Sequence, residues 1–348
     1  MGLQIGELVP RRDIKLNELN GKLIAVDAFN ALYQFLSNIR QMDGTPLMDN
    51  KKRVTSHLSG LFYRTTNLMA RGIKMVYVFD GKPPALKYGT IGTRSEHKRE
   101  AEEKYLQAKK EGNTEDMYKY AKQNIKLNDE MIEESKKLIK ALGLPVIEAP
   151  GEGEAQASIL AKDGCYAVAS QDYDALLFGT PRLIQNLTLA KKKRLASGAY
   201  IPVESELIEL ERVLNILQID HDQLICLGIL SGTDFNPGGV KGIGPKKALM
   251  LVQKYKQPVL IFEAVERQLN DERLEMPFDW TEIFEIFKKP NVRNDYKIEF
   301  LDVNEEEIKR LLCKEHDFSE ERVQSALDKL KEAKELGKQK GLNEWFGK

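Results

Sequence analysis

Cysteine is scarce in this 348-residue chain: Cys165, Cys226 and Cys313 lie far apart, without a C-x-x-C pair. That excludes a disulfide framework and a zinc ribbon, and it fits a reducing compartment. The four histidines have no metal-ligand spacing, so carboxylates are the only credible metal ligands. No apolar run approaches the ~20 residues that span a bilayer, and the opening MGLQIGELVPRRD has no signal-peptide core. The chain begins Met-Gly, but Gly6 stands where a myristoylation signal needs Ser or Thr. No internal repeat or low-complexity segment stands out. Net charge is also missing, since 53 basic residues offset 53 acidic ones. That balance does not exclude nucleic acid, because clustering of basic residues on one face is what matters there.

Acids in close pairs are what the chain has instead. PGEGEAQASILA carries Glu152 and Glu154 into a helical run, and YAVASQDYDALLFGT carries Asp172 and Asp174 just past an apolar run of strand length. Two further strand-like runs, KLIAVDA and IKMVYVFD, end in Asp27 and Asp80. The turn after the first, DAFNAL, lacks the glycines of a dinucleotide-binding loop. Apolar runs alternating with helical segments predict an α/β fold on a parallel sheet, whose ligands bind beyond the carboxyl ends of the strands. One Asp after a strand is ordinarily a helix cap. Repeated on every candidate strand, with GEGE added, the acids point instead to a divalent cation acting on a phosphate, because gathered carboxylates repel one another unless something positive is bound. Asp234, in LSGTDFN, is one more candidate.

Between Gly81 and Gly143 the spacing predicts a loop, GKPPALKYGTIGTRS, and then highly charged helices that regain apolar spacing at Met131, Ile132, Leu138, Ile139 and Leu142. A solvated helical hairpin would read this way. So would a lid, and Lys87, Arg94, Lys98 and Arg99 begin close after Asp80. Further on, Lys191 to Arg194 are either edge-strand charges or phosphate contacts. ESELIELERVLNILQI reads as an amphipathic helix, and HDQLICLGILSG as another capped by Asp220. Gly242-Ile243-Gly244-Pro245 opens a helix followed by Lys246 and Lys247, which suits a phosphate or a plain helical hairpin. From Lys256 to Lys340 the chain is helical, charged and without visible chemistry. The tail KQKGLNEWFGK sets Gln339, Leu342, Trp345 and Phe346 in the pattern Q-x-x-L-x-x-W-F; aromatic anchors at helical spacing are how such peptides dock in grooves.

IAVDAFNALYQF, VYVFDGKPPALK, EAPGEGEAQA, ASQDYDALLFG, LSGTDFN and VKGIGPKKA, in this order, resemble the flap endonuclease family of XPG-type structure-specific nucleases over essentially the whole chain. The resemblance implies a PIN-like, mostly parallel central sheet flanked by helices, with a helical arch and a helix-turn-helix. It implies a structure-specific 5′ flap endonuclease and 5′–3′ exonuclease of replication and base excision repair, working with two Mg²⁺ ions, for which Mn²⁺ substitutes. Asp27, Asp80, Glu152, Glu154, Asp172, Asp174 and Asp234 would bind the metals, Asp27 and Asp234 mostly through waters, and Lys87 and Arg94 would meet the scissile phosphate. Tyr33 would stack on a base and Gly2 would lie near the active site. Gly232, Gly242, Gly244, Lys246 and Lys247 would contact DNA, with Glu152 and Asp234 beside it and a K⁺ ion at the helix-turn-helix.

The same resemblance makes residues 1–337 one nuclease domain: an N-terminal region (1–98), an arch (81–143), an internal region (144–260, helix-turn-helix near 226–255) and a helical C-terminal part (261–337). Residues 338–348 would be the tail that binds the PCNA sliding clamp. The protein would be a monomer apart from that clamp, would touch no membrane, and would be cytoplasmic and nucleoid-associated if archaeal or nuclear if eukaryotic. Two other classes compete. A haloacid-dehalogenase-type phosphatase also uses Asp-x-Asp after a strand, but after its first strand. A non-catalytic clamp-binding DNA scaffold would have no reason to gather seven acids.

Overall fold

The computed structural model describes residues 3–41, 44–82, 86–113, 116–117, 119–120, 126–188, 192–194, 200–271 and 276–346, and of these the side chains of 88–98, 192–194, 200–202, 270–271 and 337–346 lie outside the description. Three parallel strands form its centre: β2 (Leu23–Asp27), β3 (Lys74–Phe79) and β5 (Ala167–Ala169). β4 (Val146–Glu148) joins β3 and β6 (Arg182–Gln185) joins β5, both parallel. Two antiparallel strands, β9 (Ser205–Glu209) and β1 (Arg12–Ile14), finish one edge, giving the order β1-β9-β6-β5-β2-β3-β4. Strands β7 (Lys192–Arg194) and β8 (Tyr200–Pro202) pair separately as a hairpin.

Both faces of the sheet are covered at its centre, so β2, β3 and β5 are largely apolar runs rather than alternating with polar residues. In β3, Val76 and Val78 enter one core while Met75, Tyr77 and Phe79 enter the other. The first core is closed by α5 (Gly153–Lys162), α6 (Asp174–Leu177), α7 (Leu210–Leu217), α8 (His221–Ser231), α9 (Pro245–Tyr255), α10 (Pro258–Asp271) and α11 (Trp280–Lys288). The second is closed by α1 (Ala28–Asn38), α2 (Ser56–Met69), α4 (Asp129–Ala141), α12 (Glu305–Lys309) and α13 (Glu320–Phe346). Among the described residues no single helix is long and apolar enough to cross a membrane; the bent pair α7–α8 passes on length and composition, and α8 is buried in the first core.

Three elements differ from the sequence expectation. Ser205–Glu209 is a strand, not the start of an amphipathic helix. Its neighbours Leu207 and Ile208 face opposite cores, which suits a strand covered on both sides as well as it suits a helix. Helix α3 (Lys87–Glu111) begins within the stretch expected to be a loop, because glycine weakens a helix by only about 1 kcal/mol per residue and does not forbid it. The charged helical stretch before Gly143 is interrupted at residues 126–128, and its last helix, α4, starts after Asn128, whose side chain accepts the Met131 N–H as a cap.

A polar clamp anchors α4, the helix that returns the 81–143 segment to the core. A π-helical turn, Arg310–Glu315, delivers His316 into the interior. His316 Nδ1 lies 3.2 Å from Asp49 Oδ2 and Nε2 lies 2.8 Å from Glu134 Oε1 on α4. Both partners are acceptors, so the ring meets both only as an imidazolium. Its pKa is accordingly raised: burial opposes the charge, and Glu134 and Asp49 outweigh it. His57, buried with neither ring nitrogen hydrogen-bonded, is held neutral by burial, its Nε2 3.6 Å from Glu134. Against the desolvating effect of its own burial, the hydrogen bond and charge of His316 bring Glu134 down to about 2.

A raised histidine contributes stability below its unfolded pKa of about 6.5 and loses it as pH climbs through the folded value. His316→Gln should therefore cost about 3 kcal/mol near pH 6. The gap to wild type should narrow as pH rises towards 9, which denaturant melts across that range would measure. A gap independent of pH would mean that His316 is not charged.

Candidate active site

The acids gather where the sheet topology reverses. From β2 the chain steps to β3 and β4 on one side, then returns to β5 and β6 on the other, and a cleft opens beyond the carboxyl ends of strands at such a switch. Asp27 ends β2 and caps α1, accepting the Asn30 N–H at 3.0 Å. Asp80 follows β3, Glu152 is the N-cap of α5 and Glu154 lies in its first turn. Asp172 follows β5, and Asp174 opens α6. Asp234 comes from the turn after α8.

Two glycines let these turns approach. Gly153 donates its N–H to Asp80 Oδ1 at 2.5 Å, and a Cβ there would stand 2.5 Å from the same oxygen. At Gly81 a Cβ would strike the Ala149 carbonyl, so only glycine lets the loop after β3 lie on the loop after β4.

Among the described side chains the charges are unbalanced. Burial, then the Asp80 charge, pushes Asp27 up to about 8. Burial and Glu152 push Asp80 up to about 6. Burial, Asp234 and Asp172 push Asp174 up to about 7. Burial and the charges of Asp172, Asp27 and Asp174 raise Glu154 well above the usual carboxylate range. Against these stands Lys87, at the start of α3, which pairs with Glu152 and lies 3.5 Å from Asp234. Burial works against its charge, but Glu152 and Asp234 together hold it firmly protonated.

The individual acids are held by protein groups. Ser170 Oγ lies 3.2 Å from Asp27 Oδ2, 3.1 Å from Glu154 Oε1 and 3.2 Å from the Asp172 N–H. Asn30 Nδ2 donates to Asp172 Oδ2, and the Leu3 N–H donates to Asp174 Oδ1, both at 3.2 Å. Among the described residues no three His, Cys, Asp or Glu side chains are already closed around an ion position. The donor set nonetheless fits a hard divalent cation: it is all oxygen, and repulsion among buried carboxylates is relieved by added positive charge.

The other expected residues lie around this cluster. Tyr33 is half-buried one turn beyond Asn30 on α1. Arg94 is two turns beyond Lys87 on α3, its side chain outside the description. Gly2 lies outside the described residues, although its neighbour Leu3 touches Asp174. Gly232 ends α8 at φ +101°, Gly242 turns at φ +80°, and Gly244 caps α9 with Pro245 in its first turn. Lys246 is exposed and 3.2 Å from Glu7, and Lys247 is half-buried beside it. Lys192–Arg194 form β7, and Lys191 lies outside the described residues. The main chain of Gln339, Leu342, Trp345 and Phe346 continues α13, with their side chains outside the description. Sequence reasoning passed over Asn30 and Ser170. The available signal was their spacing, three residues after Asp27 and two before Asp172.

The XPG N-terminal domain matches residues 4–101 and the XPG I-region matches residues 143–234. Flap endonuclease 1 of Pyrococcus abyssi is 53% identical, covering 99% of this chain and 98% of its own length. Flap endonuclease 1 of Thermococcus onnurineus is 51% identical, with complete coverage of both. Among solved structures, flap endonuclease-1 from Methanococcus jannaschii aligns with a TM-score of 0.75 and 42% identity, covering 95% of this chain and 98% of that one.

Proposed function

The chain belongs to the flap endonuclease family of XPG-type nucleases, and from that premise we propose that it cleaves 5′ flaps from branched DNA near the single-strand/duplex junction, with 5′–3′ exonuclease activity, using Mg²⁺. The observation that carries this reading is the convergence of seven acids and one charged lysine at the switch of the parallel sheet. Asp80, Glu152, Glu154, Asp172 and Asp174 are assigned as ligands of two ions, and Asp27 and Asp234 as acids acting mainly through water. When bound, divalent ions supply Lewis acidity and a hydroxide at neutral pH.

The chain's own groups do the rest. Lys87 and Arg94 offset the charge that grows on the phosphate during in-line displacement. Tyr33 stacks on a base, and the segment from Gly81 to Gly143 forms the arch that passes the single strand. Gly242, Gly244, Lys246 and Lys247 hold the duplex through main-chain N–H groups and ammoniums, beside Gly232 and a K⁺ ion. Gly2 is assigned to DNA binding near the active site. Residues 1–337 make the nuclease unit, and Gln339, Leu342, Trp345 and Phe346 of the 338–348 tail dock on a PCNA-type clamp.

A 5′-end-labelled double-flap DNA tests this. With Mg²⁺ the flap should be released near the junction, with a chelator it should stay attached, and Mn²⁺ should restore release. Intact DNA under all three conditions, with turnover of small phosphate esters, would move the assignment to a phosphatase.

A further inference from the structure

Asn30 lies in the first turn of α1, three residues after Asp27 and three before Tyr33. The orientation of its amide is forced. The Gln171 main-chain N–H can only donate, and it lies 3.2 Å from Asn30 Oδ1. Gln34, one turn along, donates Nε2 to the same oxygen at 2.8 Å. The NH₂ end is therefore the one turned to Asp172 Oδ2. Gln34, with its nitrogen committed, presents Oε1, which accepts from Thr188 Oγ1 at 3.0 Å. Every proton in the row Thr188, Gln34, Asn30 points the same way, and the row ends on the Asp172 carboxylate. The receiving loop is pinned as well, since Gln185 donates to the Gln171 carbonyl at 2.8 Å and Ser170 Oγ accepts the Asp172 N–H.

A row whose purpose was to brace α1 against the sheet could end on any main-chain carbonyl. This one converges on a single carboxylate of the acid cluster, and it runs along the helix that carries Tyr33. Groups behind a ligand fix its orientation and raise its affinity for the ion. Resting on the metal-dependent reading above, we infer that Asn30 is a positioning residue for metal binding: its amide, oriented by Gln34 and Thr188, holds Asp172 in the ion-ligating orientation. Thr188, just past β6, is the far end of the same device.

The test uses the full chain without DNA, so that it does not depend on cleavage. Mn²⁺ titrations followed by electron paramagnetic resonance should show Asn30→Leu binding about 10-fold more weakly or worse. Thr188→Val should shift in the same direction by about 2-fold, and Thr188→Ser, which keeps the hydroxyl, should return to wild type. Thermal melts in chelator check that each variant is folded, and if Asn30→Leu is not, the Thr188→Val and Thr188→Ser pair decides. Unchanged Mn²⁺ affinity in folded Asn30→Leu, or equal affinities for the two Thr188 variants, would overturn this inference alone. A wild-type chain that binds no Mn²⁺ would overturn the metal reading and this inference with it.

Discussion

Asp174→Asn should lose flap cleavage by about 10³-fold or more, equivalent to about 4 kcal/mol of transition-state stabilisation, and should gain stability in chelator. Asp174 is buried at 3% exposure, so it does not reach DNA directly and duplex affinity should be nearly unchanged. Asn keeps the size of the side chain and an oxygen for the Leu3 N–H, so the fold has no cavity or lost hydrogen bond to absorb. What it removes is a buried negative charge beside Asp172 and Asp234. A carboxyl held near 7 is disfavoured as an anion at pH 8, and relieving it should raise metal-free stability by about 4 kcal/mol. Single-turnover cleavage, binding by fluorescence anisotropy and melts in chelator measure the three effects. Cleavage within tenfold of wild type would place the chemistry elsewhere. Lower stability in chelator would show that Asp174 is a structural acid rather than a repelled one.

All of the acids but Asp234, which follows helix α8, were legible in sequence because they sit at breaks between two periodicities, where a strand of period two hands over to a helix of period 3.6. Asp27, Asp80, Asp172 and Asp174 all stand at such breaks, and the parallel sheet carries them to one edge without any further signal. Strand β9 was not legible, because Leu207 and Ile208 side by side read equally as a helix stripe and as a strand covered on both faces. Pairing with β6, some twenty residues earlier, decides between them, and pairing leaves no local trace. Asn30 and Ser170 were passed over for a related reason. Each forms an ordinary local motif, a helix first turn and a hydroxyl two residues before an acid, and gains its role only when β2 and β5 lie side by side. The His316 clamp joins residues 267 positions apart, through a π-helical turn that no periodicity announces. Sequence placed the groups that carry charge at strand ends; the groups that hold them in place come from the topology.

Chelated protein should lose stability as pH rises from about 4 to 8, and a saturating divalent ion should remove most of that loss. Asp80, Asp174 and Asp27 are held near 6, 7 and 8 by burial and mutual repulsion, and Glu154 is raised with them. Unfolded carboxyls titrate near 4, so between pH 4 and 8 the native state binds more protons than the unfolded chain. Stability then falls with pH across that window, the reverse of the ordinary salt-bridged acid. An ion displaces those protons, so its affinity should rise with pH over the same range. The melting temperatures with Mg²⁺ and with chelator should nearly coincide at pH 5 and differ by roughly 5–10 °C at pH 8.5. The His316 clamp also weakens above about pH 6.5, but it shares no partner with the acids, so it shifts both curves alike and cancels in their difference. Coincident melts at pH 8.5, or stability in chelator that rises with pH, would mean that the acids are already compensated within the protein and that no ion is required to hold them together.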